Sequence, residues 1–257
     1  MSAPVILAIA NQKGGVGKTT TAVNLGAALA RKGKRTLIID ADPQGNASTG
    51  LGIGADERDA NLYSVLAGSI PAKDAIKPTS QADLSILPAN QDLAAMEIEL
   101  VDAEARQFSF RDRLKDAAED FDVVLIDCPP ALGLLTLNGL SWADQVLVPL
   151  QAEFFALEGL AFLLKTLDRV KRGSNSSLTL LGVVLTMYDG RNNLAQQVEN
   201  DVRHHLRGRV FKTKIPRNVR LSEAPSHAMP IFDYDERSTG AQAYAALSDE
   251  VVATLGL

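Results

Sequence analysis

Residues 11 to 20 read Asn11-Gln12-Lys13-Gly14-Gly15-Val16-Gly17-Lys18-Thr19-Thr20. Three glycines in four residues let backbone N–H groups turn inward around a polyphosphate without Cβ clashes, and a following helix adds its positive N-terminal end. In such a loop Lys18 reaches the β- and γ-phosphates and the Thr19 hydroxyl ligates Mg²⁺. A tight turn needs neither that many glycines nor the Gly-Lys-Thr ending. The pattern therefore predicts a phosphate cradle contacted by Gly14, Gly15, Val16, Gly17, Lys18, Thr19 and Thr20. Phosphoryl chemistry also needs an acid on a neighbouring strand for the Mg²⁺ or its water shell, and Asp127 in Leu125-Ile126-Asp127-Cys128-Pro129-Pro130 has the form of a Walker B aspartate. A further group must orient the attacking water. Asp40 and Asp42 of Asp40-Ala41-Asp42-Pro43-Gln44-Gly45-Asn46 both qualify, and spacing alone does not separate them.

These groups must be carried by strands that end together. Val5 to Ala10 is an apolar run entering the loop, and a helix is expected from about Thr20 to Lys32, closed by Arg31-Lys32-Gly33-Lys34-Arg35. Thr36–Asp40, Leu84–Pro88, Asp122–Asp127, Gln145–Leu150 and Leu178–Thr186 read as buried strands, and 210–213 as a short edge strand. Helical patterns fall near 62–66, 92–103, 110–119, 134–141, 157–171 and 240–255, while 50–80 is rich in Gly, Asp, Ala and Pro and otherwise hard to assign. No linker composition, repeat or low-complexity tract divides the chain. The expectation is one α/β domain over 1–257, a doubly wound, mostly parallel sheet with helices on both faces.

The chain has 257 residues, 46% apolar and 22% charged, with a net charge of −5. Those values suit a globular protein that buries a substantial core. One cysteine, Cys128, excludes an internal disulfide framework and fits a reducing cytosol, where it is expected to be a small buried hydrophobe. The apolar N-terminal run is short and enters the loop directly, as a strand would and a signal peptide would not. No stretch approaches the length of a membrane span.

The loop departs from the common P-loop pattern at Gln12, where glycine is usual, and carries Lys13 next to it. Lys-Gly-Gly-Val-Gly-Lys-Thr resembles the deviant Walker A motif of the ParA/MinD group of ATPases. Together with Asp40–Asn46, Asp122–Pro130 and Ile215-Pro216-Arg217-Asn218-Val219-Arg220-Leu221-Ser222-Glu223-Ala224-Pro225-Ser226, it is similar to the ParA/Soj branch over nearly the whole chain. The resemblance implies a cytoplasmic, nucleoid-associated ATPase with ATP and Mg²⁺ as cofactors. It forms an ATP-dependent homodimer, binds double-stranded DNA nonspecifically, and hydrolyses ATP under stimulation by a ParB-type centromere-binding partner. Lys13 is then the signature lysine, reaching the partner subunit's phosphates, so that Lys13, Lys18 and Asp42 form the catalytic set and Thr19, Asp42 and Asp127 the metal set. The base pocket falls at Thr186-Met187 and Ile215-Pro216-Arg217-Asn218, with the Asn218 amide placed to read an adenine edge. Arg191 and Arg220 are the implied DNA contacts, joined by Arg217. With the P-loop starting at residue 11, no helix-turn-helix extension is expected ahead of it, and so no direct operator binding.

Charge distribution points to a DNA face on its own. Seven Lys or Arg (203, 207, 209, 212, 214, 217, 220) and no acid lie between residues 203 and 220 of an acidic chain. The neighbouring His204 and His205 point about 100° apart on a helix and are expected to be plain surface or phosphate-contact positions. Trp142, Phe154 and Phe155 are expected in the core or at a dimer contact. The alternative reading is a MinD-like membrane-associated positioning ATPase, which needs a basic amphipathic tail; residues 240–257 contain no Lys or Arg. An electron carrier of the nitrogenase iron-protein kind needs two cluster cysteines per subunit, and a P-loop ligase or kinase needs a second-substrate pocket that no motif supplies.

Overall fold

The computed structural model describes residues 3–101 and 104–257. Eight strands form one sheet in the order β3-β4-β2-β5-β1-β6-β7-β8: β1 Val5–Ile9, β2 Thr36–Asp40, β3 Lys77–Pro78, β4 Leu84–Leu87, β5 Val123–Asp127, β6 Gln145–Gln151, β7 Thr179–Tyr188 and β8 Val210–Pro216. Every pairing is parallel except β3 with β4 at one edge. The expected doubly wound, mostly parallel α/β sheet is what forms.

The central strands are apolar at successive positions because both their faces are covered. Along β1, Ile6 and Ala8 point into one core while Leu7 and Ile9 point into the other. β5 repeats this with Val124 and Ile126 against Val123 and Leu125. β1 sits between β5 and β6, and β5 sits between β1 and β2, so the chain reverses its direction of winding beside β1. The loops leaving β1, β2 and β5 therefore open onto one crevice at the carboxyl edge, where open α/β sheets bind ligands.

Helix α1 spans Lys18–Ala30, two residues ahead of the expected start. The difficult stretch 50–80 contains two short helices, Leu62–Leu66 and Ala72–Ala75, and the antiparallel β3. The helix expected over 92–103 is instead a 3₁₀ turn at Gln91–Ala95 running into the four-residue α5, Met96–Glu99; positions 102 and 103 lie outside the described residues. Helices α6 (Ser109–Ala118), α7 (Leu134–Trp142), α8 (Ala156–Gly173) and α12 (Thr239–Leu255) occupy the positions expected within two residues. α9, Asn193–His205, joins β7 to β8. Among the described residues no helix is long and apolar enough to cross a membrane.

Candidate nucleotide-binding site

The loop from β1 to α1 is shaped by its glycines. Gly15 (φ 73°) and Gly17 (φ 87°) occupy the left-handed region, and Gly17 is the residue from which α1 starts. The loop is pinned from behind by the Thr186 hydroxyl, which donates to the Val16 carbonyl at 2.8 Å, and by Asn11, whose amide donates to the Pro149 carbonyl at 2.7 Å. Gly14, Gly15, Gly17, Lys18, Thr19 and Thr20 line a cavity of about 360 Å³, whereas the Val16 side chain is buried. The Lys18 ammonium donates to the Lys13 carbonyl at 3.2 Å. Burial lowers its pKa, opposed by the negative charge of Asp127.

Asp42 lines this cavity and Asp40 does not. The Asp40 carboxyl is fully buried, accepting the Ser48 N–H at 2.8 Å, the Ser48 hydroxyl at 2.7 Å and the Asp42 N–H at 3.3 Å. Its pKa is pushed up to about 6, chiefly by burial. Asp40 thus shapes the loop, and Asp42 is the one of the pair that faces the cavity. Asp127, the register partner of Asp40 on β5, is also fully buried. Among the described residues neither of its oxygens has a hydrogen-bond donor, although the Thr19 hydroxyl lies near enough to favour its ionised form. Burial first, and then the charge of Asp40, raise its pKa well above the carboxylate range. A buried carboxylate with both oxygens unpartnered costs folding free energy, and a cation or its water shell supplies the missing donors. Among the described residues no three His, Cys, Asp or Glu gather as a metal nest, so a cation here would draw on Thr19, Asp42, Asp127, water and the ligand's own oxygens.

A second pocket of about 290 Å³ adjoins the first through Gly17, Thr20 and Met187. Thr186, Ile215, Pro216, Arg217 and Asn218 line it, so the residues that the resemblance assigns to the base lie together. Met187 holds a left-handed backbone (φ 48°), unusual for a non-glycine residue and found here at the junction of the two pockets. The Asn218 amide is largely committed: its Oδ1 accepts the Arg220 N–H at 2.8 Å and caps the helix Val219–Glu223, and its Nδ2 donates to Thr239 Oγ1 at 2.7 Å. One N–H remains to donate. Two-point reading of an adenine edge through this amide therefore requires giving up the cap.

Lys13, like Val16, stands apart from the loop residues that line the cavity, but it points toward solvent. It does not line the cavity; its ammonium is half-exposed and pairs with Glu153 at 2.5 Å. Glu153 precedes α8, and beside it Phe154 and Phe155 are 73% and 66% exposed, which places this pair outside the core. Trp142 is partly buried against the core, and Cys128 is buried as expected.

The basic stretch is less free than its sequence suggests. Arg203 and Lys214 both pair with Glu199 on α9, and Arg220 pairs with Glu223 and Asp235. Among the described residues Arg207, Arg209, Lys212 and Arg217 make no ion pair. The reading of seven uncompensated charges is therefore corrected to four, because Glu199, Glu223 and Asp235, acids just outside the stretch, pair with the other three. Arg191, highly exposed, pairs with Asp189, and Arg217 also acts on Asp189 through space. Sequence reasoning missed Gln44, Asn46 and Pro130 as cavity-lining residues, although all three lie inside stretches it had singled out.

A glycine-rich cradle at the carboxyl edge of a parallel sheet, with a buried strand-end acid behind it, defines a P-loop nucleotide-binding protein. Residues 5–180 match the family model described as "AAA domain". The chain is 54% identical over 249 residues to the chromosome partitioning protein ParA of Caulobacter vibrioides, covering 96% of this chain and 93% of that one. It is 50% identical to the sporulation initiation inhibitor protein Soj of Bacillus subtilis, covering 96% and 98%. Among solved structures, the cobyrinic acid a,c-diamide synthase of Mycobacterium smegmatis with bound ATP analogue and magnesium superposes with a TM-score of 0.85 at 38% identity, covering 96% and 93%. The chain belongs to the ParA/Soj family of chromosome-partitioning ATPases.

Proposed function

We propose that the chain, acting as one P-loop unit over residues 1–257, is a Mg²⁺-dependent ATPase with slow intrinsic turnover. ATP closes two copies into a sandwich dimer that binds double-stranded DNA without sequence preference. Hydrolysis, stimulated by a ParB-type partner, releases the DNA, so that cycles on the nucleoid in the cytoplasm segregate replication origins. The observation that carries this reading is the position of Lys13, a cation beside the phosphate loop yet outside its own cavity and half-exposed. Such a charge is available to a second copy.

In this reading Lys18 and the N–H groups of 14–20 bind the phosphates, Asp42 orients the attacking water, and Lys13 of the second copy balances transition-state charge. Thr19, Asp42 and Asp127 would hold the Mg²⁺, which when bound neutralises charge on the phosphate oxygens. The unpartnered Asp127 carboxylate fits that role. Met187, Pro216 and Asn218 would flank the base. ATP promotes DNA binding only to the extent that it binds the dimer more tightly than the monomer.

Co-sedimentation with DNA in ATP, ADP and no nucleotide tests the scheme: wild type should pellet with DNA only in ATP, and Lys18→Ala in none of the three. Equal pelleting in all three states counts against it. For the DNA face, Arg191, Arg217 and Arg220 are the proposed contacts. Arg217→Ala should weaken binding similarly on all sequences and reduce the log–log salt slope by about 0.9 for the phosphate it no longer neutralises. An unchanged slope would remove Arg217 from the interface.

A further inference from the structure

The segment that follows β4 touches both loops flanking the phosphate cavity. At its start the Ala89 N–H donates to Ser48 Oγ at 3.1 Å, and the Ser48 hydroxyl donates in turn to Asp40 at 2.7 Å, behind Asp42. Further along, Glu97 of α5 reaches the loop after β5. Its Oε2 accepts the Leu134 N–H at 2.8 Å and its Oε1 accepts the Leu135 N–H at 3.1 Å. These are the first two amides of the nine-residue α7, which have no partner inside the helix. A side chain at the N-cap usually serves them, but the N-cap here is Gly133, which has none.

Gly133 is required by this contact. A Cβ there would lie 2.6 and 2.8 Å from the two Glu97 oxygens, although the backbone (φ −83°) would accept any residue. Between Asp127 and α7 runs Cys128-Pro129-Pro130-Ala131-Leu132-Gly133, and Pro130 lines the phosphate cavity opposite the P-loop. The Thr136 hydroxyl closes the turn onto the Ala131 carbonyl at 2.6 Å. The carboxylate of Glu97 therefore anchors the far end of the segment whose near end is Asp127.

We propose that Glu97 is a positioning residue for ATP hydrolysis: by holding the start of α7, it sets the Asp127–Gly133 segment against the phosphate cavity. This rests on the ATPase reading above. Two charge-assisted hydrogen bonds to a helix N-terminus, aligned with its dipole, are strong for a single side chain. Their loss hands the amides to water and frees the helix start to shift. A displacement of about 1 Å near reacting groups costs on the order of 10²-fold in rate. Nucleotide binding through residues 14–20 rests on β1 and α1, which Glu97 does not touch. Turnover and affinity should therefore separate.

The test uses steady-state ATPase kinetics and the affinity for ADP without Mg²⁺, which reads binding through residues 14–20 alone, on the full chain. Glu97→Ala should lower kcat by about 10- to 100-fold while ADP affinity stays within about twofold. Glu97→Gln, which keeps one acceptor oxygen, should recover part of the rate. Gly133→Ala should reproduce the defect, because its Cβ displaces the carboxylate. Added to Glu97→Ala it should cost nothing further, since the opposing atoms are gone. The proposal is overturned if kcat of a folded Glu97→Ala chain is unchanged, if kcat and ADP affinity fall together, or if Gly133→Ala is equally harmful in both backgrounds. A wild type that does not hydrolyse ATP at all would instead overturn the ATPase reading, and this proposal with it.

Discussion

Lys13→Ala is expected to bind nucleotide as the wild type does and to hydrolyse ATP about 10³ to 10⁵ times more slowly, the range a cation supplied in trans contributes to phosphoryl transfer. The variant should fold normally. Its one lost partner is Glu153, and a half-exposed pair contributes about 0–1 kcal/mol at most. Nucleotide affinity should survive because Lys13 does not line the cavity of its own chain. The trans arrangement makes a sharper demand. Lys13→Ala keeps Lys18 and can cradle ATP, while Lys18→Ala keeps Lys13 and can donate it. An equimolar mixture of the two should recover hydrolysis that neither has alone, and wild-type turnover per chain should rise with protein concentration from nanomolar to micromolar. Silence in the mixture, with cross-linking showing that mixed dimers form, would mean that Lys13 serves its own site or none.

The second large effect concerns Asp127. Both its oxygens are buried without a hydrogen bond, beside the equally buried Asp40. Asp127→Asn removes the charge and the repulsion without breaking any hydrogen bond the carboxylate makes. In the absence of nucleotide it should therefore stabilise the chain at neutral pH, by about 1–3 kcal/mol, because an unpaired buried amide costs less to desolvate than an unpaired buried charge beside a second carboxyl. A chain of this size gains about 2–4 °C in Tm per kcal/mol. The same substitution should weaken Mg²⁺-nucleotide binding by about 10- to 100-fold if Asp127 orders the metal's water shell.

The pH dependence carries the signature. Asp40 titrates near about 6 in the folded chain against an ordinary 3.8, and Asp127 is also shifted upward. The folded chain therefore holds more protons than the unfolded one across that interval. Stability from these carboxyls is full below about pH 4 and is lost as pH rises through their folded values. Removing Asp127 removes its share of that loss, so the Tm advantage of Asp127→Asn should be small at pH 4 and larger at pH 8. A variant that melts below the wild type at pH 8, measured without nucleotide or metal, would contradict the assignment of Asp127 as an unsatisfied carboxylate awaiting a cation.

Residues 14–20, the strands running into them and Asp127 were legible in the chain because each is a local pattern. Alternate residues of β1 and β5 feed two cores, and the glycine spacing is a backbone requirement within one loop. The stretch 92–103 misled because its short apolar spacing suits a helix, while Asn90 caps a 3₁₀ turn at Gln91–Ala95 instead. Asp40 and Asp42 have the same type and setting in sequence. They separate only in the fold, where Ser48 claims the first and leaves the second to the cavity. In the basic stretch the i,i+4 pair Glu199–Arg203 and the i,i+3 pair Arg220–Glu223 follow local helical spacing, whereas Glu199 meets Lys214 and Asp235 meets Arg220 only in the fold.

By itself, then, the amino-acid order determined the sheet, the phosphate loop and the family, since hydrophobic period and motif spacing act over a few neighbouring residues. Only the tertiary structure decided which charges are free. Glu153 meets Lys13 across 140 residues and Glu97 meets Leu134 across 37, and no local pattern encodes which distant acid the packing of the sheet will deliver to a given cation or amide.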